Sequence, residues 1–136
     1  MLVNMRTCLG EEGHLVLVVP SLESQLWSYQ NHLEHELQLG ASRRRAVATA
    51  NEVATEELTS VAEGIVCLSG TDTKFYLGPE LDAELSDHGF DVIERRAIEY
   101  GWEEELLPED WKRQPGPWHW VVVGRKNDSR TALRPR

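Results

Sequence analysis

Residues Gly10–Ser21 read GEEGHLVLVVPS, and the reading of this stretch decides the fold. A polar turn, Gly10 to Gly13, leads into the apolar run Leu15–Pro20, and the run stops at Pro-Ser. A short apolar run bounded by turn residues is the pattern of a strand buried on both faces, as in the middle of a parallel sheet. Pro20 has no N–H to give to a ladder, so the strand ends there, and the Ser21 hydroxyl is placed to cap a following helix. In open α/β folds ligands gather at the carboxyl ends of such strands, which directs attention to Val19, Pro20 and Ser21.

Upstream, Leu2, Met5 and Leu9 fall at helical spacing with Gly10 as a stop. A strand meant for a sheet centre needs neighbours on both sides. Nothing before Leu15 supplies them, so the expectation is an incomplete domain. Downstream, Ser21–Gly40 reads as a helix with one apolar stripe: Leu22, Leu26, Tyr29, Leu33 and Leu37. Ser21 supplies the cap and Glu23 suits the positive helix end. His32 and His35, beside Glu34 and Glu36, read as a solvated polar face rather than a metal site.

Arg43-Arg44-Arg45 opens a second helical pattern through Val47, Ala50, Val53 or Ala54, Leu58 and Val61. The arginines read as a solvated helix start, with an acidic or phosphate partner as the less favoured reading. Ile65–Leu68 and Lys74–Leu77 read as short strands around the turn Ser69–Asp72. Gly78-Pro79 opens a helix whose inner face is Leu81, Leu85 and His88, and Gly89 ends it. Phe90–Tyr100 alternates apart from Glu94-Arg95-Arg96, the pattern of a bulge or a solvent-facing middle. Trp118–Gly124, WHWVVVG, reads as a last strand antiparallel to it, because the Pro-rich connection is too short for a crossover. Asn127–Arg136 is expected to be a disordered basic tail.

The 136 residues carry a net charge of −9, which disfavours a nucleic-acid backbone as partner. Cys8 and Cys67 are too few for a disulfide framework and fit a reducing compartment, so the expected setting is intracellular, cytoplasmic by default. No apolar run reaches membrane-spanning length, no secretory signal follows Met1, and no membrane partner is expected.

The order of elements, with these residues, resembles the C-terminal half of a class I S-adenosylmethionine-dependent methyltransferase. GEEGHLVLVVPS is similar to the family's post-helix turn and fifth strand, although Glu11-Glu12-Gly13 keeps only the second Gly of the usual Pro-Gly-Gly. LGPELDAELSDHGFDVIE resembles the last helix running into the sixth strand. PWHWVVVGRK resembles the seventh strand, which inserts antiparallel into the sheet. TKFYL, EYGWEEEL and PGPWHW together resemble a subgroup of uncharacterised members with a helical insertion after the fifth strand.

The resemblance spans about Leu2 to Lys126. It implies an α/β fold: a partial Rossmann-like methyltransferase sheet lacking its N-terminal strands, with residues 41–77 as a helical and hairpin insertion. It also implies an S-adenosylmethionine cofactor and a small-molecule acceptor. The family's Gly-rich loop and its acidic residue after the second strand are both missing. The chain alone is therefore expected to lack cofactor-binding residues and to be inactive, its cofactor-binding half lying upstream or on a separate chain. The alternative is a non-catalytic remnant that serves as a partner or oligomerisation module through an open strand edge.

The family has no universal catalytic residue, so the candidates are substrate-binding ones named by position. Ser21 and Glu23 follow the buried strand, and helix capping is the competing role for both. Trp27 lies off the apolar stripe and is placed to roof a pocket. Thr73, Lys74 and Tyr76 sit in the hairpin near the strand ends, and Lys74 suits a substrate carboxylate or phosphate, or plain surface exposure. Trp102, Trp118 and Trp120 are expected to cluster, with Trp118 and Trp120 on one face of the last strand and His119 on the other. No metal ligands are assigned.

Overall fold

The computed structural model describes residues 1–54, 58–60, 63–68, 70–108, 110–111 and 113–127, with the backbone alone at 53, 54 and 58–60. Helix α1 covers Leu2–Cys8 and strand β1 covers His14–Pro20. Helices α2, Leu22–Gln38, and α3, Arg43–Ala54, follow. Strands β2, Leu58–Ser60, β3, Ile65–Leu68, and β4, Thr71–Lys74, form a small antiparallel sheet. Helix α4, Gly78–Asp87, strand β5, Phe90–Glu99, a 3-10 turn over Trp102–Glu105 and strand β6, Trp118–Lys126, complete a mixed α/β fold.

The main sheet has the order β1-β6-β5. β6 runs antiparallel to both neighbours, so β1 and β5 point the same way with the last described strand between them. Leu15, Leu17 and Val19 pair with Gly124, Val122 and Trp120 on one face of the sheet. Helix α4 lies on that face, where Leu81 and Leu85 join Leu15, Phe90 and Val122 in the core, and Leu2, Met5 and Leu9 pack against them. A second cluster, Leu22, Val66 and Phe75, ties the small sheet to the start of α2.

The local signals explain most boundaries. The Ser24 N–H donates to Ser21 Oγ at 3.0 Å, which caps α2. Pro79 occupies the first turn of α4, and the Glu80 carboxylate accepts the Leu77 N–H at 3.3 Å. The β5–β6 register slips between Val92 and Glu94, which makes Ile93 the bulge residue in the stretch where the alternation breaks.

Four expectations need correction. First, β1 is buried on one face only. Val16 and Val18 are 60% and 61% exposed while Leu15 is 8% exposed. β1 is an edge strand of an antiparallel sheet, and an all-apolar run hides the two-residue period that would have told its faces apart. Second, the buried face of α2 is not the predicted stripe. Leu22 is buried as expected, but Leu26 and Leu37 are exposed, whereas Ser24, Ser28, Asn31 and His32 are buried.

The cause is the segment after β5, which lies along that face. The Trp111 indole N–H donates to Asn31 Oδ1 at 3.0 Å, and the Trp118 N–H donates to Ser24 Oγ at 2.7 Å. His32 and His35 are therefore not a solvated face: His32 is 4% exposed and His35 stacks edge-on against Trp111.

Third, the hairpin's second strand is Thr71–Lys74, not Lys74–Leu77. Phe75 turns back to donate its N–H to the Gly64 carbonyl at 2.7 Å, and Tyr76 leaves to bridge Ser21. Fourth, Leu58 lies in a strand and not in a helix, while Val61 and Ser69 lie outside the described residues. The expected tail is reached only at Asn127, whose N–H donates to the Gly89 carbonyl at 2.8 Å, and 128–136 lie outside the described residues. Among the described residues no helix is long and apolar enough to cross a membrane.

Candidate functional site

The end of the main sheet where β1 and β5 finish and β6 begins gathers most of the predicted positions. Tyr76 straddles Ser21: its N–H donates to the Pro20 carbonyl and its carbonyl accepts the Leu22 N–H, both at 3.0 Å. The small sheet is thereby docked where β1 turns into α2. Ser21 is 2% exposed, and its hydroxyl donates to Glu23 Oε2 at 3.1 Å while capping the helix.

Glu23 is the junction of three elements. Its Oε1 accepts the Gly78 N–H at 2.8 Å, at the positive end of α4, and its Oε2 accepts the Trp120 indole N–H of β6 at 3.1 Å. Burial by itself would raise the carboxyl pKa. The hydrogen bonds from the Gly78 amide, its own amide, Trp120 and Ser21 outweigh that and hold it below the usual 4.5.

The remaining candidates divide. The Lys74 ammonium donates to the Glu63 carbonyl and to Glu80 Oε1, each at 2.5 Å, and lies 5.1 Å from the centre of the Tyr76 ring. It closes the hairpin onto α4 and is not free for a substrate anion. The Thr73 hydroxyl donates to the Thr71 carbonyl at 3.2 Å, a local bond. The Trp27 indole N–H donates to the Pro115 carbonyl at 2.8 Å, and its ring centre is 6.4 Å from that of Trp102. The expected three-Trp cluster is thus split. Trp118 and Trp120 meet edge-on at 6.1 Å, while Trp102 turns to Trp27 because its own N–H donates to the Arg113 carbonyl at 2.8 Å.

Among the described residues, two clefts at this end of the sheet bear on the candidates. One, of about 430 Å³, is lined by Glu23, Leu26, Trp27, Gln30, Pro115 and Trp118. The structure thus brings Glu23 and Trp27 to one cavity, and leaves Ser21, Thr73, Lys74 and Tyr76 outside its lining. The other, of about 450 Å³, is lined by Ile98, Tyr100, Gly101, Glu104, Glu105 and His119. The Tyr100 hydroxyl donates to Glu105 Oε1 at 2.7 Å. Burial, then that bond and the Glu105 charge, push its pKa well above the ordinary 10, so it stays a donor. His119 packs at 5.0 Å from the Tyr100 ring, and its buried Nδ1 has no hydrogen-bond partner.

Sequence reasoning missed this second lining. Its signal was the alternation that put His119 opposite Trp118 and Trp120. Among the described residues no group of His, Cys, Asp and Glu is arranged to hold a metal ion.

His32 gives the site's supporting layer a pH dependence. Burial lowers its pKa below the ordinary 6.5; the Glu105 carbonyl and charge and the Glu36 charge oppose this only in part, and His35 adds to it. The unfolded chain then binds a proton that the folded one does not, so stability falls as pH drops from about 6.5 toward the folded pKa, by at most about 1.4 kcal/mol per pH unit. Urea midpoints at pH 7.5 and pH 5.5 should differ less in His32→Gln than in the wild type. Equal differences in the two proteins would mean that His32 titrates normally.

No family model, curated protein or solved structure matches the chain.

Proposed function

We propose that residues 1–126 form the substrate-side portion of an S-adenosylmethionine-dependent methyltransferase, with a small-molecule acceptor seated in the Glu23–Trp27–Trp118 cleft. The observation that carries the reading is the strand order: β1 and β5 run the same way and β6, the last described strand, is inserted antiparallel between them. The resemblance in the sequence leads one to expect a last strand inserted antiparallel into the sheet, and it supports the reading further that clefts open at the carboxyl ends of β1 and β5.

The described residues do not fit the cofactor itself. A loop that lets backbone approach a nucleoside needs glycines whose missing side chains leave room for the ligand. Here the places where a glycine's side chain would collide are filled by the protein: the Phe75 carbonyl at Gly64, the Arg95 guanidinium at Gly78 and the Glu103 carboxylate at Gly101. No step is therefore assigned to groups that would hold the methyl donor. The cleft's task is to seat the acceptor and exclude water, which places one reactant of an in-line transfer.

The chain alone is expected to show no measurable heat with S-adenosylmethionine in a calorimetric titration, and tight stoichiometric binding would overturn that part of the reading. The methyltransferase assignment itself turns on the reading frame upstream of Met1. An in-frame Gly-rich strand–loop–helix supports it, and intergenic sequence removes it.

A second reading, a non-catalytic association module, is favoured by one observation: Val16 and Val18 expose apolar surface on a strand whose outer edge has no partner among the described residues. Sedimentation that stays monomeric at every concentration would count against it.

A further inference from the structure

The Glu23 cleft holds a carboxylate with no ion-pair partner among the described residues. Among the described residues every hydrogen-bond donor to the Glu23 carboxylate is uncharged: the Gly78 N–H, its own N–H, the Trp120 indole and the Ser21 hydroxyl. Two cations on neighbouring elements are paired with other carboxylates. Arg95 Nε pairs with Asp82 at 3.2 Å, with its guanidinium 4.8 Å from the Trp120 ring, and Lys74 pairs with Glu80. Among the described residues no ion pair includes Glu23.

The walls add to this. Trp27, Trp118, Leu26 and Pro115 make the cleft mostly apolar, and Gln30 spends its amide N–H on Glu34 at 3.0 Å. Indole faces attract a cation through the ring quadrupole, by about 0.5–2 kcal/mol according to how far it is desolvated. An anion would meet the Glu23 charge in a protein of net charge −9, whose field enriches cations. The volume of about 430 Å³ accommodates an ammonium headgroup with a short organic tail.

We propose that this cleft binds a small organic cation, its ammonium group set against the Glu23 carboxylate and between the indoles of Trp27 and Trp118. The ammonium is an anchoring group and not the atom that reacts. The inference goes beyond the methyltransferase reading, because the cleft binds such a cation whether or not the chain takes part in methyl transfer.

The test uses the full chain, with tryptophan fluorescence and calorimetry as readouts. Choline and benzylammonium are each titrated beside a neutral counterpart, 3,3-dimethylbutan-1-ol and benzyl alcohol. At least one cation should bind saturably, about tenfold or more tighter than its counterpart. Glu23→Gln keeps the shape and removes the charge, and should erase that preference. If Glu23→Gln does not fold, Leu26→Trp decides: Leu26 is 44% exposed at the rim, so the larger side chain fills the cleft without entering the core, and cation binding should disappear. The proposal is overturned if neither cation binds saturably, if cations and counterparts bind alike, if the preference for the cation survives a folded Glu23→Gln, or if cation binding survives a folded Leu26→Trp. S-adenosylmethionine is absent throughout, so failure here leaves the methyltransferase proposal standing, and failure of that proposal leaves this one untouched.

Discussion

Phe90→Ala is expected to lower the unfolding free energy by about 4 kcal/mol, roughly a quarter or more of the stability of an ordinary domain. Phe90 is 1% exposed and sits among Leu15, Leu81, Leu85 and Val122, where α4 closes over the main sheet. It belongs to the cluster that joins the first strand, β6 and the helix between them in sequence. Deleting it leaves a cavity that no neighbour can fill without moving the helix, and the cavity adds to the lost transfer energy.

The companion substitution is Val18→Ala on the opposite face. Val18 is 61% exposed, so its truncation should cost within about 0.5 kcal/mol. Urea unfolding of the two variants measures how one-sided the sheet is. A Phe90→Ala loss below about 1 kcal/mol would mean that the core lies elsewhere. A Val18→Ala loss comparable to that of Phe90→Ala would mean that the outer face of β1 is covered in the protein in solution.

That contrast marks where the sequence stopped being readable. The β5–β6 pairing and α4 were legible because their signals are local: alternation in WHWVVVG, Gly78-Pro79 at one helix end, and Gly89 with its φ of 79° at the other. The face of β1 was not, because Leu15–Val19 is apolar at every position and carries no phase.

Nor was the buried face of α2. Ser24 and Asn31 look like solvent positions until Trp118 and Trp111 arrive from 94 and 80 residues further along the chain. The candidate site has the same limit. Its position at the end of β1 followed from Pro20-Ser21, and the capping role of Ser21 followed from its type. The role of Glu23 rests on donors 55 and 97 residues away, a juxtaposition that no spacing rule encodes. Lys74 reads as a free surface cation in sequence, and becomes a clasp only when Glu80 comes within 2.5 Å.

Gly64→Ala should cost about 3 kcal/mol and loosen the small sheet before the rest of the protein. Gly64 has a φ of +63°, and a Cβ added there would lie 2.3 Å from the Phe75 carbonyl oxygen, a backbone atom fixed by the same contact. The Gly64 carbonyl accepts the Phe75 N–H at 2.7 Å, so the two strands cannot separate to make room without losing that bond. Phe75 would be drawn out of its cluster with Leu22 and Val66, and Tyr76 would leave Pro20 and Leu22, uncovering the start of α2 beside Glu23.

Gly70 supplies the control. Its φ is +80°, but nothing lies within 4 Å of an added Cβ, so Gly70→Ala carries only the conformational term of about 1 kcal/mol. Hydrogen exchange should show the amides of Phe75, Tyr76 and Leu22 losing protection in Gly64→Ala, while Phe90 and Val122 keep theirs. Equal costs for the two glycine variants would mean that backbone conformation alone, and not the approach of Gly64 to Phe75, sets the hairpin. Loss of protection at Phe90 together with Phe75 would mean that the small sheet and the main sheet unfold as one unit, and that the cleft beside Glu23 is as rigid as the core.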